Sequence, residues 1–242
     1  MSVKLVWVTP DAEHLISDMA RVSNPSNQGN YDTADKLVRY LIKHRHWSPF
    51  EMASMCLEIN TNRGIAAQIL RHRSFSFQEF SQRYADVGAL TSIELPELRR
   101  QDTKNRQNST NDLSFEVKAE LYEEASVLIE QSKKLYNKML DKGVAKECAR
   151  FFLPIATPSR LYMTGTVRSW LHYIDLRSAN GTQKEHMDIA LGAKNILAEQ
   201  LPNVCKAMWG NTTTGSEEPK VNNKSKWENI INLFSFSRLL RE

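Results

Sequence analysis

Arg71, His72 and Arg73 stand together, and Ser81, Arg83 and Tyr84 follow shortly after, in the stretch Arg71-His72-Arg73-Ser74-Phe75-Ser76-Phe77-Gln78-Glu79-Phe80-Ser81-Gln82-Arg83-Tyr84. Guanidinium groups present forks of N–H donors. Clustered beside a hydroxyl-bearing turn, they suit planar anions, and phosphates above all. Residues 79–83 offer backbone N–H groups, the Ser81 hydroxyl and the Arg83 fork within a single turn. Such a turn holds a phosphate dianion through several charge-assisted bonds. A basic triplet alone also fits a solvated helix end, where cations meet the helix dipole. Ser81 has no His-Asp pair placed to activate it as a nucleophile, so it is assigned to phosphate binding. His44, His46 and Glu51 make a weak zinc spacing, and no metal is expected. Cys56, Cys148 and Cys205 are odd in number and far apart. They are expected to be reduced and packed as small hydrophobes.

The Arg-His-Arg triplet, with seven residues between it and Ser81, resembles the signature of the flavin-dependent thymidylate synthases. The resemblance implies reductive methylation of dUMP to dTMP. FAD is then the cofactor, 5,10-methylenetetrahydrofolate the carbon donor and NADPH the reductant, with tetrahydrofolate released. It implies that Glu79, Phe80, Ser81, Gln82 and Arg83 grip dUMP, and that Arg71, His72 and Arg73 reach FAD and the folate side. The likeness extends over residues 15–208. His46-x-x-Pro49-Phe50-Glu51 is similar to a family segment whose His lines the folate and flavin pocket. The position of Ser48 there contacts FAD. Ser23, inside Ala20-Arg21-Val22-Ser23, falls on another FAD-contacting serine. Gln68 and Arg71 match nucleotide-contacting residues. Glu147-Cys148-Ala149-Arg150 with Leu153-Pro154 resembles the segment whose arginine reaches dUMP from a neighbouring subunit, which implies a homotetramer with shared sites. Arg168 matches a flavin-contacting arginine, and Arg177, in Leu176-Arg177, matches the arginine facing the pyrimidine. The chain departs from the family at Gln78, Thr166 and His172, where Asn is usual, and at Gly181, where His is common. The first three of these positions, with Glu79, lie on the FAD side.

Methylation at C5 of uracil requires an electron-rich C5. No cysteine here sits in a motif suited to thiolate addition. A guanidinium at the N3/O2 edge favours the enolate-like ring electrostatically, and Arg177 is expected to supply it.

The elements that must position these groups suit an α+β fold of mixed helices packed on a small antiparallel-type sheet. Residues 3–8 and 54–61 read as strands, and 11–21 and 32–44 as helices. Ser48 is expected to cap a helix that has Pro49 at its first position. Residues 62–72 should be helical, with Gln68, Arg71 and His72 on one arc. The alternation from Ser74 to Phe77 breaks that period. Residues 84–111 read mostly as loop, with a short strand near 89–95. The longest helix is expected over 112–142, with Leu121, Ala125, Leu128, Ser132, Leu135 and Met139 as a core stripe and Gly143 as its stop. A helix over 144–152, a strand over 161–167, a helix over 168–176 and a helix over 183–208 bent near Pro202 complete a catalytic domain of residues 1–209. Residues 210–242 are expected to be a polar linker and C-terminal extension, with 227–240 apolar enough to dock as a helix.

The chain has 242 residues, 41% hydrophobic and 25% charged, enough for one sizeable core. No apolar run is long enough for a membrane span, and Met1-Ser2-Val3-Lys4-Leu5 lacks a signal-peptide core, so a cytoplasmic protein is expected. A net charge of +4 and a pI near 8.9 permit anionic ligands. The alternative class is a basic single-stranded nucleic-acid-binding protein, with Phe75, Phe77 and Phe80 stacking bases beside arginines. Cationic residues are spread along the chain with no run of five, so nucleic acid is not the expected partner.

Overall fold

A computed structural model of the chain describes residues 1–90 and 92–210. It divides the chain into two units, Met1–Met208 and Trp209–Glu242. Apart from Gly210, the expected linker and docking helix lie outside the described residues.

The elements that frame the first unit are β1 (Ser2–Val8), α1 (Ala12–Ala20), α2 (Ala34–Lys43), β2 (Ser54–Asn62), α3 (Arg63–Ile69) and β3 (Ser76–Glu79). A small hairpin, β4 (Arg100–Gln101) and β5 (Ser109–Thr110), precedes the long α4 (Phe115–Asp141). Then come α5 (Lys146–Ala149), β6 (Pro158–Thr166), α6 (Val167–Arg177), α7 (Lys184–Gln200) and α8 (Pro202–Trp209). The main sheet has the order β1-β2-β6-β3, with every neighbour antiparallel. This is an α+β fold of the expected kind.

Alternation along the central strands sets the core. Met55, Leu57 and Ile59 of β2 and Leu161 and Met163 of β6 are fully buried, with Leu57 opposite Met163 and Ile59 opposite Leu161. Apolar side chains of α3, α6 and α7 join them, including Ile65, Ile69, Trp170, Ile174, Ile189 and Leu197. Gly165 on β6 has a steric reason: a Cβ there would lie 2.5 Å from Cδ1 of Phe75. Its absence lets the Phe75 ring lie over β6 and meet Trp170 edge-on at 4.9 Å.

Local capping places the helices that carry the chemistry. Asn62 ends β2 and caps α3, accepting the Ile65 N–H at 3.0 Å. Thr166 ends β6 and caps α6, accepting the Ser169 N–H at 3.2 Å. Each central strand therefore passes directly into a helix, and the register that pairs Ser54 with Thr166 and Asn62 with Pro158 fixes where the two helices start.

Several expectations are corrected. Helix α3 stops at Ile69, not at residue 72, because the chain must turn to bring β3 against β6. Bonds from His72 N–H to Ile69 O and from Phe75 N–H to His72 O shape that turn, so the triplet occupies a turn and not a helical arc. Ser48 does not cap; it opens a 3-10 turn, Ser48–Glu51, preceded by Trp47. Among the described residues of 89–95 there is no strand; the hairpin β4–β5 lies further on. The stripe on α4 is not core, since Leu121, Leu128 and Leu135 are 44%, 67% and 43% exposed and only Tyr136 of this helix is buried. Within one chain, α4 meets α5 and the 3-10 turn Arg150–Phe152, and its Tyr122 hydroxyl donates to Pro96 O and accepts from Leu98 N–H.

Candidate active site

The turn after α3 and the C-terminal end of α6 meet. Arg177 Nε–H donates to His72 Nε2 at 2.9 Å, across 105 residues of sequence. A guanidinium has no acceptor, so His72 must present a lone pair there and stay neutral. Burial, then the charges of Arg177 and Arg71, hold its pKa down to about 4. The His72 ring also stands edge-on to Tyr173 at 4.9 Å. Thus the triplet's histidine fixes the arginine expected to face the pyrimidine. Arg71 and Arg73 are exposed and enter no ion pair among the described residues.

The turn expected to bind phosphate continues from β3. Phe80 N–H donates to Arg160 O at 2.8 Å, and Ser81 O accepts from Tyr84 N–H and Ala85 N–H, which curls residues 81–85 tightly. Ser81 itself is exposed. Glu79 Oε1 accepts from Arg63 Nη1 at 2.6 Å and from Ser159 Oγ at 2.7 Å, so it is held as a structural carboxylate at the mouth of the turn. Arg83 forms an exposed ion pair with Glu147 at 3.0 Å. Gln82 is buried, and its Nε2 has no partner. It lines a cavity of about 330 Å³ with Arg63, Arg150, Leu153, Pro154 and Thr157. Two guanidinium groups and an orphaned amide donor suit an anion. Arg150 shares this cavity with Gln82 of its own chain.

The residues expected on the flavin and folate side are more dispersed. Ser23 lines a separate cavity of about 440 Å³ with Arg21, Asn24 and Lys36. There Arg21 is buried and donates to Asn30 O and Thr33 Oγ1. His46 is exposed in a loose ring cluster with Tyr40 and His44, and Ser48 is exposed beside it. His172 leans on Trp47 with ring centroids 5.0 Å apart. Arg168 is ion-paired to Glu51. The Thr166 hydroxyl is occupied as the cap of α6, and Gln78 points to solvent from β3. A flavin nucleotide brings a diphosphate and a flat ring system. Unpaired Arg71 and Arg73 and the Trp47–His172 surface match that chemistry. No cluster of His, Cys, Asp or Glu among the described residues could hold a metal.

Two of the aromatics behind the nucleic-acid alternative, Phe75 and Phe77, serve packing. Phe75 contacts Trp170 and Tyr173, and Phe77 sits 6.2 Å from Phe75. Sequence reasoning passed over Arg99, Tyr173, Gln183, Glu185 and His186, which bind one another and Gln68 behind the site. The visible signal was Gln183-x-Glu185-His186, polar residues opening a helix soon after Leu176-Arg177.

The sheet carries the arginine triplet just before one end of β3 and the Ser81–Arg83 turn just after the other, and a neutral histidine joins the triplet to Arg177. The family model described as thymidylate synthase complementing protein matches residues 4–203. The chain is 52% identical over 218 residues to the "Probable flavin-dependent thymidylate synthase" of Paramecium bursaria Chlorella virus 1, covering 86% of this chain and 99% of the viral protein. It is 50% identical over 197 residues to the flavin-dependent thymidylate synthase of Synechocystis, covering 81% and 89% of the two chains. The crystal structure of a UMP/dUMP methylase, PolB from Streptomyces cacaoi, bound with 5-Br dUMP, superposes with a TM-score of 0.76 at 28% identity, covering 85% of this chain and 93% of that one. The chain belongs to the flavin-dependent thymidylate synthase family.

Proposed function

We propose that this enzyme methylates dUMP at C5 to give dTMP, with FAD as cofactor, 5,10-methylenetetrahydrofolate as carbon donor and NADPH as reductant. The observation that carries this reading is the Arg177–His72 bond, which fixes one arginine for a pyrimidine edge, and the donor-rich Ser81–Arg83 turn offers groups for a phosphate. The solved relatives bound to 5-Br dUMP and 5-Br UMP support a uridine nucleotide as substrate. Bound FAD supplies hydride when reduced. Arg71, Arg73, His172, Ser23 and Ser48 are the groups that would hold it, with His46 and His72 on the folate side. Arg177 stabilises charge on the uracil ring, and Ser81, Gln82, Arg83 and Arg150 hold the phosphate. No helix among the described residues is long and apolar enough to cross a membrane. The enzyme's proposed part in making dTMP is the ground on which a cytoplasmic location is proposed.

The test is spectroscopic and isotopic. The purified protein should be yellow with flavin absorbance, and it should release tritium from 5-labelled dUMP in the presence of the folate and NADPH. A colourless protein that binds single-stranded oligonucleotides in a strongly salt-dependent manner would overturn the reading.

The cysteines support the thiol-free chemistry. Cys56 and Cys205 are buried, and burial pushes Cys205 up to about 12, so neither is a thiolate at neutral pH. Changing Cys56, Cys148 and Cys205 together to Ala should leave turnover within about tenfold, allowing for packing losses. A folded, flavin-loaded triple variant with no activity would point to a thiol mechanism.

A homotetramer with shared sites accounts for the apolar face left on one chain. Leu121, Leu128 and Leu135 of α4, with Phe151, Phe152 and Ile155, are all exposed. A face of this kind marks a protein–protein contact. Leu128→Asp places a charge in it and should shift the protein to smaller species in analytical ultracentrifugation. Sedimentation unchanged from the parent chain would remove this face from the interface.

A further inference from the structure

Behind Gln68 runs a chain of hydrogen bonds with one charged end. Arg99 is ion-paired with Glu185: Nη2 donates to Oε2 at 2.9 Å, and Nη1 lies 2.7 Å from Oε1. Its Nε–H donates to Ser109 Oγ of β5, which ties this end to the hairpin. Gln183 Nε2 donates to Glu185 Oε2 at 2.9 Å, and Gln68 Nε2 donates to Gln183 Oε1 at 2.7 Å. Gln68 Oε1 meets His186 Nδ1 at 3.2 Å, and His186 Nε2 meets the Tyr173 hydroxyl at 3.1 Å. His186 is fully buried and Glu185 is 7% exposed, so solvent offers these two few alternative partners.

The direction of each bond follows from the first. A carboxylate only accepts, so Gln183 must turn its NH₂ toward Glu185 and its oxygen toward Gln68. Gln68 must then turn its NH₂ toward Gln183 and its oxygen toward His186. His186 must carry its proton on Nδ1 and offer Nε2 as an acceptor, and Tyr173 must donate. Independent electrostatics agree. Burial alone would raise the Glu185 carboxyl, but the bonds from Arg99, its own backbone and Gln183 hold it below its ordinary value. Burial, then the charges of Arg177 and His72, lowers His186 to about 4, which keeps the ring neutral. Burial pushes Tyr173 up, so its hydroxyl keeps its proton.

We infer that Glu185 is a positioning residue that sets the polarity of this relay, and that Gln68 thereby presents an amide N–H to the nucleotide. One N–H of Gln68 is used by Gln183 and a second remains on the same nitrogen. The nucleotide group it meets is therefore an acceptor oxygen, of a carbonyl or a phosphate. The nucleotide part of this inference rests on the dUMP reading; the polarity of the relay does not.

Imidazole ¹⁵N shifts of the flavin-loaded protein read the relay directly. His186 should be the Nδ1–H tautomer in the parent chain. Glu185→Gln removes the acceptor-only end, since an amide can donate or accept, and the whole relay can reverse. A substantial Nε2–H population should then appear at His186. The KM for dUMP should rise roughly tenfold while kcat stays within about threefold. Gln183→Leu leaves the Arg99–Glu185 pair intact and breaks only the link, so it should give the same two changes even where Glu185→Gln folds poorly. An Nε2–H tautomer in the parent chain, or no tautomer change in either folded variant, would overturn the relay. A changed tautomer with an unchanged KM would overturn the role of Gln68 at the nucleotide. A parent chain that shows the tautomer responses but turns over no dUMP would support the relay and sink the dUMP reading.

Discussion

Arg177→Ala is expected to lower kcat by roughly 10²–10³, the usual effect of deleting one preorganised donor. The guanidinium is held by His72 at 2.9 Å, so its orientation is set before any ligand arrives. A group fixed in this way contributes most where charge develops on the uracil ring, in the transition state. On the proposed reading the phosphate is gripped elsewhere, by the Ser81–Arg83 turn and Arg150, so dUMP binding should change less. Arg177→Lys should not restore the rate, because an ammonium cannot present a planar fork. Arg83→Ala should show the reverse split and weaken dUMP binding first. The measurement is single-turnover flavin oxidation at saturating dUMP, beside a nucleotide titration. If Arg177→Ala changes only the dissociation constant, Arg177 is a binding group and not a catalytic one.

The His72 contact adds a pH signature. Its folded pKa of about 4 lies below the ordinary 6.5, so the fold favours the neutral ring. The associated stability is complete above 6.5 and is lost as pH falls through 6.5 toward about 4. Protonation removes the Nε2 lone pair that Arg177 uses. The saturated rate should therefore fall in acid in step with His72 titration.

The second large effect concerns stability. Trp170 is fully buried and its Nε1–H donates to Met55 O at 3.0 Å. Its ring meets Phe75 at 4.9 Å and Tyr173 at 5.8 Å. Trp170→Ala removes the largest buried side chain and leaves Met55 O with only the longer bond from the Thr164 hydroxyl, at 3.4 Å. A loss of about 3–5 kcal/mol follows from the cavity, which for a chain of this size lowers Tm by about 6–20 °C. Trp170→Phe keeps most of the bulk and loses the hydrogen bond, so its cost should be about 1–3 kcal/mol. Thermal melts followed by circular dichroism give both values. If the alanine and phenylalanine variants melt together, the hydrogen bond and not the packing dominates.

What sequence could and could not reveal follows physical lines. The strands β1, β2 and β6 were legible because β-branched and apolar residues alternate along them. The candidate anion turn stood out because its arginines and hydroxyl sit close together in the chain. The end of α3 was misjudged because Leu70, Arg71 and Arg73 are good helix formers, and only the pairing of β3 with β6 turns them away. The α4 stripe has helical spacing yet faces outward, since periodicity reports an apolar face and not what covers it. The relay through Gln183, Glu185 and His186 stayed hidden for another reason. Its members lie up to 118 residues from Gln68, or in the case of Arg99 beside a hairpin with almost no strand signal.

The strand order also dictates when the active site exists during folding. The central pair joins Ser54 to Thr166, so β2 waits for a partner made more than a hundred residues later. Closing a loop of that length costs about 4 kcal/mol of chain entropy, and nothing offsets that cost until the strands meet. β3 pairs only with β6, so the turn holding the arginine triplet is unanchored until that closure occurs. Arg177 leaves the ribosome later still. A nascent or truncated chain ending before β6 can form helices and the antiparallel pair of β1 and β2, but it lacks the strand that anchors the arginine turn. Ligand capture and completion of the sheet are thus a single late event, and a slow one by the standard of such non-local pairing.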